Sequence, residues 1–219
     1  MNRKLFAGLF AMAALILASV ACSTSSLLGN GNLLEDNFSN NKSGWGTGTD
    51  KDSSVEYVNG CLQMKIFKSN FFIWSTPATQ DYEKVHIEVT VINNHTDSKT
   101  AFGIMCDQQT TTSDFYYLAM TPAGQYAIAK AATGQSDVFL TNNDKWAKSD
   151  LITQDASSYR LGADCGNGTL TLYVGGQKIA SASDSTYTKG NVGVFNWSGE
   201  DVPAADVTVD DFVMTKLAK

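Results

Sequence analysis

The chain has 219 residues, 43% of them hydrophobic and 17% charged, and a formal net charge of −6. An acidic chain without a basic cluster excludes nucleic acid as an expected partner, because phosphates are met by Lys and Arg that displace counterions. It equally excludes electrostatic attraction to an anionic lipid surface, and the length suits a single all-β domain.

The first segment is a targeting segment. Asn2, Arg3 and Lys4 give a short basic start, Leu5 to Val20 is almost wholly apolar, and Ser19, Val20 and Ala21 lead into Cys22. That is the layout of a secretory signal peptide. Sixteen apolar residues fall short of the roughly 20 that span a bilayer core, and no positive cluster follows to anchor a span. A cysteine directly after small residues resembles the lipobox of bacterial lipoproteins. The resemblance implies cleavage before Cys22, acylation of its thiol and new amino group, and an exported protein held by lipid to the cell membrane or outer membrane. Residues 22–32, with Ser23 to Ser26 and Gly29 to Asn32, read as the lipidated cysteine and a flexible tether. Losing residues 1–21 removes Arg3 and Lys4 and no acid, which takes the formal charge from −6 to −8.

From there on helical periodicity is nearly absent. Short runs rich in Val, Ile, Tyr, Phe and Thr alternate with Gly, Asn, Asp and Ser, the pattern of strands and turns. The runs are Leu33 to Phe38, Ser54 to Val58, Leu62 to Phe67, Phe71 to Trp74, Val85 to Ile92, Ala101 to Cys106 and Phe115 to Met120. Gln125 to Lys130, Val138 to Thr141, Tyr159 to Cys165, Thr169 to Val174, Lys178 to Ala182, Asn191 to Trp197 and Val207 to Lys216 follow. Asn59-Gly60 is a strong hairpin signal. Pro122-Ala123-Gly124, Asn167-Gly168 and Gly175-Gly176 supply further turns. Val85, Ile87, Val89 and Val91 alternate with polar residues and so share one face of a half-buried strand. In the last run the apolar parity changes from Val207 and Val209 to Phe212 and Met214, which predicts a bulge near Asp210-Asp211. About a dozen strands exceed an immunoglobulin-type sandwich, and the expected architecture is a jelly-roll β-sandwich of two antiparallel sheets over residues 33–217.

With Cys22 assigned to lipid, Cys61, Cys106 and Cys165 remain in an oxidising compartment. Three cannot all pair internally. Cys106 and Cys165 both end strand-like runs and are the expected disulfide, worth about 4 kcal/mol on the chain-entropy estimate. Cys61 is then expected to be a free, half-buried thiol. A catalytic role for it is not expected, since no histidine lies near it in sequence.

Several segments together resemble a family: Glu35-Asp36-Asn37-Phe38-Ser39 with Ser43-Gly44-Trp45, Phe102 to Cys106, Asp114 to Leu118, Pro122 to Tyr126, Asp164 to Gly176, Gly190 to Val194 and Val209-Asp210-Asp211-Phe212. Across roughly Leu33 to Leu217 the chain is similar to the concanavalin A-like lectin/glucanase domains of bacterial lipoproteins, which are related to laminin-G-like modules and to the keto-disaccharide hydrolase domain. The resemblance implies the same jelly-roll sandwich. The two matched cysteines usually occur together in that family, which agrees with Cys106–Cys165.

Glycoside hydrolysis needs two carboxyls facing one sugar. Catalytic relatives place them on one strand in a pattern like Glu-x-Asp-x-Glu, and no such triplet occurs here. Asp81 with Glu83, Asp206 with Asp210, and Glu200 with Asp201 are the nearest candidates, and each reads as a turn or strand-end acid. No Gly-x-Ser-x-Gly elbow is present. His86 in a strand and His95 in a polar turn do not make a zinc pair. No cofactor is expected; calcium could be served by the many loop Asp and Asn, without an identifiable site. Carbohydrate binding asks only for an aromatic face and polar neighbours. Trp45 is expected in the core and Trp146 over a sheet edge, whereas Trp74, Tyr117 and Trp197 with Asn196 are the candidate ligand residues. The expected function is a non-catalytic, lipid-anchored module for a polysaccharide or glycan. An enzyme on the same fold, glycosidase or keto-disaccharide hydrolase-like, and a structural or adhesive surface protein contacting other envelope proteins are the alternatives.

Overall fold

The computed structural model describes residues 31–78, 80–94 and 97–217. Cys22, most of the tether and His95 lie outside the described residues. In chain order the strands are β1 (Asn32–Asp36), β2 (Gly48–Thr49), β3 (Ser53–Val58), β4 (Cys61–Ile66), β5 (Phe72–Ser75), β6 (Val85–Asn93), β7 (Ala101–Gln108) and β8 (Phe115–Met120). Then come β9 (Gln125–Ala131), β10 (Val138–Phe139), β11 (Ala147–Lys148), β12 (Ser158–Gly166), β13 (Thr169–Val174), β14 (Gln177–Ser183), β15 (Asn191–Trp197) and β16 (Ala205–Lys216).

They form two antiparallel sheets. The nine-stranded sheet runs β14-β13-β12-β6-β16-β4-β3-β2 with β1 beside β16, and the seven-stranded sheet runs β10-β9-β8-β7-β15-β5 with β11 beside β9. The jelly-roll sandwich expected from the sequence is the observed fold. Two-residue β2 and β11 have no sequence pattern of their own; they exist because β3 and β9 offer free edges.

Turn chemistry sets the registers. Asn59 and Gly60 take φ of 54° and 80°, Asn167 and Gly168 56° and 69°, and Gly175 and Gly176 58° and 75°. Positive φ at both central residues is the hairpin turn that matches strand twist, and Asn and Gly reach it with little strain. The bulge in β16 falls between Asp210 and Val213, with Asp211 at φ 48°. It lets one long strand pair with β4 over Ala205–Val209 and with β1 from Phe212 onward.

The core lies between the sheets. Val85, Ile87, Val89 and Val91 of β6 face Phe102, Ile104, Tyr116 and Leu118 of the opposite sheet in one buried cluster. Trp45 is buried as expected; its indole N–H donates to Asp36 Oδ2 at 3.0 Å and its ring sits edge-on to Phe212 at 5.0 Å. Asp36 Oδ1 accepts the Phe38 backbone N–H at 2.7 Å, so the opening Glu35-Asp36-Asn37-Phe38 segment acts as a buried polar clasp. The Cys106–Cys165 disulfide joins β7 to β12 and therefore ties one sheet to the other. One expectation is corrected: Cys61 is not a free, half-buried thiol. It is disulfide-bonded and 1% exposed. Setting Cys22 aside for lipid had left an odd cysteine, but no described cysteine is free.

Candidate ligand-binding site

Each strand of the seven-stranded sheet has an inner and an outer parity. On β8, Tyr116, Leu118 and Met120 enter the core, and Phe115, Tyr117 and Ala119 face out. The outer face carries its own apolar cluster, which unites Met105, Phe115, Tyr117, Ala119, Ala129 and Phe195 with Phe72, Ala131, Phe139 and Trp146. Small residues and rings are segregated in it. Ala119, Ala129 and Ala131 keep the floor low, while rings from β5, β8, β15 and the segment before β11 rise around them. The result is a groove of about 910 Å³.

The rings pack in two groups. Phe72 stacks on Phe195 at 4.9 Å and on Phe115 at 5.8 Å, and Trp74, 43% exposed, leans on Phe72 and Phe115 at 6.1 and 6.3 Å. Trp146 lies parallel to Trp197 at 6.4 Å, and Phe139 supports Trp146 at 5.8 Å. Gly103 makes the first group possible, since a Cβ there would meet Leu118 O at 2.0 Å and the Phe195 ring at 2.9 Å. The second group depends on the segment 132–148, which returns twice to the β9 edge through β10 and β11. It brings Asp137, Phe139 and Trp146 over the groove.

Polar groups are few. Tyr117, 6% exposed, donates its hydroxyl to Asp137 Oδ2 at 2.9 Å. Burial first, and then the Asp137 charge, push the Tyr117 hydroxyl far above its ordinary pKa, so it remains a donor. Asn70, Gln135, Ser136 and Glu200 complete the polar lining.

The structure thus brings Trp74, Tyr117 and Trp197 onto one face. Asn196 is a correction: it is fully buried on the opposite parity, donates its side-chain N–H to Met64 O at 3.1 Å, and cannot meet a ligand in the groove. Alternation in β15 explains this, because neighbours in a strand face opposite ways. Phe72, Phe115, Phe195 and Asp137 were missed. The i, i+2 pairs Phe72/Trp74, Phe115/Tyr117 and Phe195/Trp197, with Ala127/Ala129/Ala131, were the available signal.

The other acids lie elsewhere. Asp206 accepts from Gln63 and Asn94. Asp81 faces Lys189 at 3.6 Å. Burial raises Asp210 to about 6, partly offset by the Asp211 N–H, and burial alone raises Asp107 to about 7. Asp107 lines a smaller pocket of about 320 Å³ with Glu83 and Asp184, beside the β12–β13 turn. Among the described residues no group of three or more His, Cys, Asp and Glu is placed to hold a metal ion.

No protein-family model and no curated protein matches the chain. Solved structures do. The carbohydrate binding module CBM66 from Bacillus subtilis aligns with a TM-score of 0.61 at 13% identity, covering 80% of this chain and 96% of that one. A Bacillus licheniformis beta-glucanase aligns at 0.59 and 13% identity, covering 87% and 100%. The GH43 BlXynB protein from Bacillus licheniformis aligns at 0.58 and 14% identity, covering 83% of this chain and 39% of that one. At such identities the likeness is one of fold, and for BlXynB it extends to 39% of that chain.

Proposed function

We propose that the protein is a glycan-binding module, anchored outside a bacterial cell by lipid on Cys22, and that it does not cleave its ligand. The observation that carries the reading is the aromatic groove on the outer face of the seven-stranded sheet. Soluble proteins rarely leave a contiguous apolar patch in water unless something binds there. Rings stack on the C–H face of a pyranose, and Asn70, Gln135 and Asp137 are placed to exchange hydrogen bonds with its hydroxyls. The likeness to a carbohydrate binding module and a beta-glucanase supports a carbohydrate ligand. The two groove acids sit on separate loops, Asp137 before β10 and Glu200 after β15, and Asp137 is already engaged by Tyr117. That arrangement favours holding a sugar over hydrolysing it.

The test uses the full chain in detergent micelles, run by affinity electrophoresis against a polysaccharide panel with and without calcium, with assay of released reducing ends. Retardation without cleavage is expected. Trp197→Ala should weaken binding by about thirtyfold, the loss of one aromatic anchor. Sugar release abolished by Asp137→Asn or Glu200→Gln would replace this reading with the enzymatic one. Neither retardation nor cleavage would overturn it in favour of a structural role. The Cys22 thiol cannot both carry lipid and pair with Cys61, so peptide mass spectrometry of the mature protein decides between the two, and an unacylated Cys22 joined to Cys61 would overturn the lipid anchor.

A further inference from the structure

Resting on the glycan reading, we infer that the groove accepts uncharged or amino-bearing glycans and turns away anionic ones, with Asp137 and Glu200 setting that selection. Of the described residues that line the groove, these two alone are charged, and both are carboxylates; no Lys, Arg or His is among them. Lys145 and Lys148 flank the Trp146 segment in sequence but do not line the groove. Asp137 is held in place. Its Oδ2 accepts the hydroxyl of Tyr117, whose ring is buried in the sheet, and its Oδ1 accepts nothing from the described residues. A sugar hydroxyl or ammonium can donate to that oxygen. A uronate, sulfate or sialate carboxylate there would place like charges together against aromatic walls, where water screens them poorly. Like charges set against each other at a binding surface oppose association. The aromatic rings set affinity for the pyranose face, and their electron-rich faces act in the same direction as the two acids by favouring an ammonium over an anion. The acids supply the part of the selection that a neutralising substitution removes.

The experiment uses the full chain in detergent micelles and matched polymers: hydroxyethylcellulose with carboxymethylcellulose, dextran with dextran sulfate, and galactan with polygalacturonate, together with chitosan. At low salt the protein should bind at least one neutral or amino polymer, and bind the anionic partner at least about tenfold more weakly. Asp137→Asn with Glu200→Gln should narrow that gap to within about threefold. Glu56→Gln with Glu83→Gln removes the same two charges away from the groove and should leave the gap unchanged, which separates local selection from the overall negative charge. Equal binding of neutral and anionic partners, binding of anionic polymers alone, or equal effects of the two double variants would overturn this inference and leave the glycan reading standing. Retardation by no polymer at all would overturn both.

Discussion

On the outer face of the nine-stranded sheet, neighbouring strands present polar side chains that satisfy one another. Asp164 receives Tyr173 at 2.7 Å and pairs with His86 Nδ1 at 2.6 Å; Arg160 grips Glu88 at 3.0 Å, and Gln63 and Asn94 both donate to Asp206 at 2.9 Å. On the outer face of the seven-stranded sheet the equivalent positions carry Phe72, Trp74, Phe115, Tyr117, Phe195 and Trp197. Both faces obey the same period of two. The difference lies in what the outward residues need: the first set is complete without a partner, and the second packs rings on rings and small apolar residues, with Trp74 left 43% exposed. Cross-strand polar pairs of the first kind contribute a few tenths to about 1 kcal/mol each. The second kind gains nothing from water, which is why the proposed glycan reading rests on this face.

The largest effect should come from the floor of the aromatic face. Gly103→Ala puts a Cβ 2.0 Å from a backbone oxygen of β8 and 2.9 Å from Phe195, so strand and ring must both shift. Destabilisation of at least about 3 kcal/mol is expected, read as a melting temperature lower by roughly 6–12 °C. Gly48→Ala, where a Cβ meets nothing within 4 Å, should stay within about 0.5 kcal/mol. Equal tolerance at both positions would break the account of how the groove is built.

A second, smaller effect separates the acids of the two sheets. Asp164, Glu88 and Asp206 on the outer face of the nine-stranded sheet are paired, whereas Asp107 at the end of β7 is 4% exposed and its carboxylate has no partner among the described residues. Burial raises it from 3.8 to about 7, so between pH about 4 and about 7 the folded protein keeps a proton that the unfolded chain releases. Stability therefore falls as pH rises through that window. Asp210, raised to about 6, adds in the same direction. Asp107→Asn should remove most of the slope and stabilise the protein at pH 8 by about 2–3 kcal/mol, measured by urea unfolding at pH 5 and pH 8. A variant with the wild-type slope would show that Asp107 is ionised in the folded state.

Much of this was legible in the sequence because alternation and turn chemistry act locally. Asn59-Gly60, the parity of β6 and the parity change at Asp210-Asp211 each named a feature that the structure contains. Parity alone puts Tyr117 on the outer face, opposite Tyr116, Leu118 and Met120. The same rule applied to β15 sends Asn196 inward, and its place next to Trp197 in the sequence carries no weight, because sequence neighbours in a strand face apart. Which outward face is the aromatic one is a non-local fact. It depends on β5, β8 and β15 entering one sheet and on residues 132–148 folding over the β9 edge, and neither is written in any single segment. The Cys61 error was likewise one of global accounting.

The smallest expected effect tests the polar face. Arg160 donates from Nε and one terminal nitrogen to Glu88, and from the other to Thr90 Oγ1 and to the Asp211 carbonyl beside the β16 bulge. The pair with Glu88 is about a third exposed on both sides, so water screens it and its share is small. The bond to the Asp211 carbonyl is the part that shapes structure, because it holds the left-handed residue at which β16 changes partners. Arg160→Met keeps the stem and removes these bonds. It should cost about 1 kcal/mol in urea unfolding and leave polysaccharide retardation unchanged. A loss of binding as large as that of Trp197→Ala, at unchanged stability, would move the functional surface to the nine-stranded sheet and leave the aromatic face in need of another occupant.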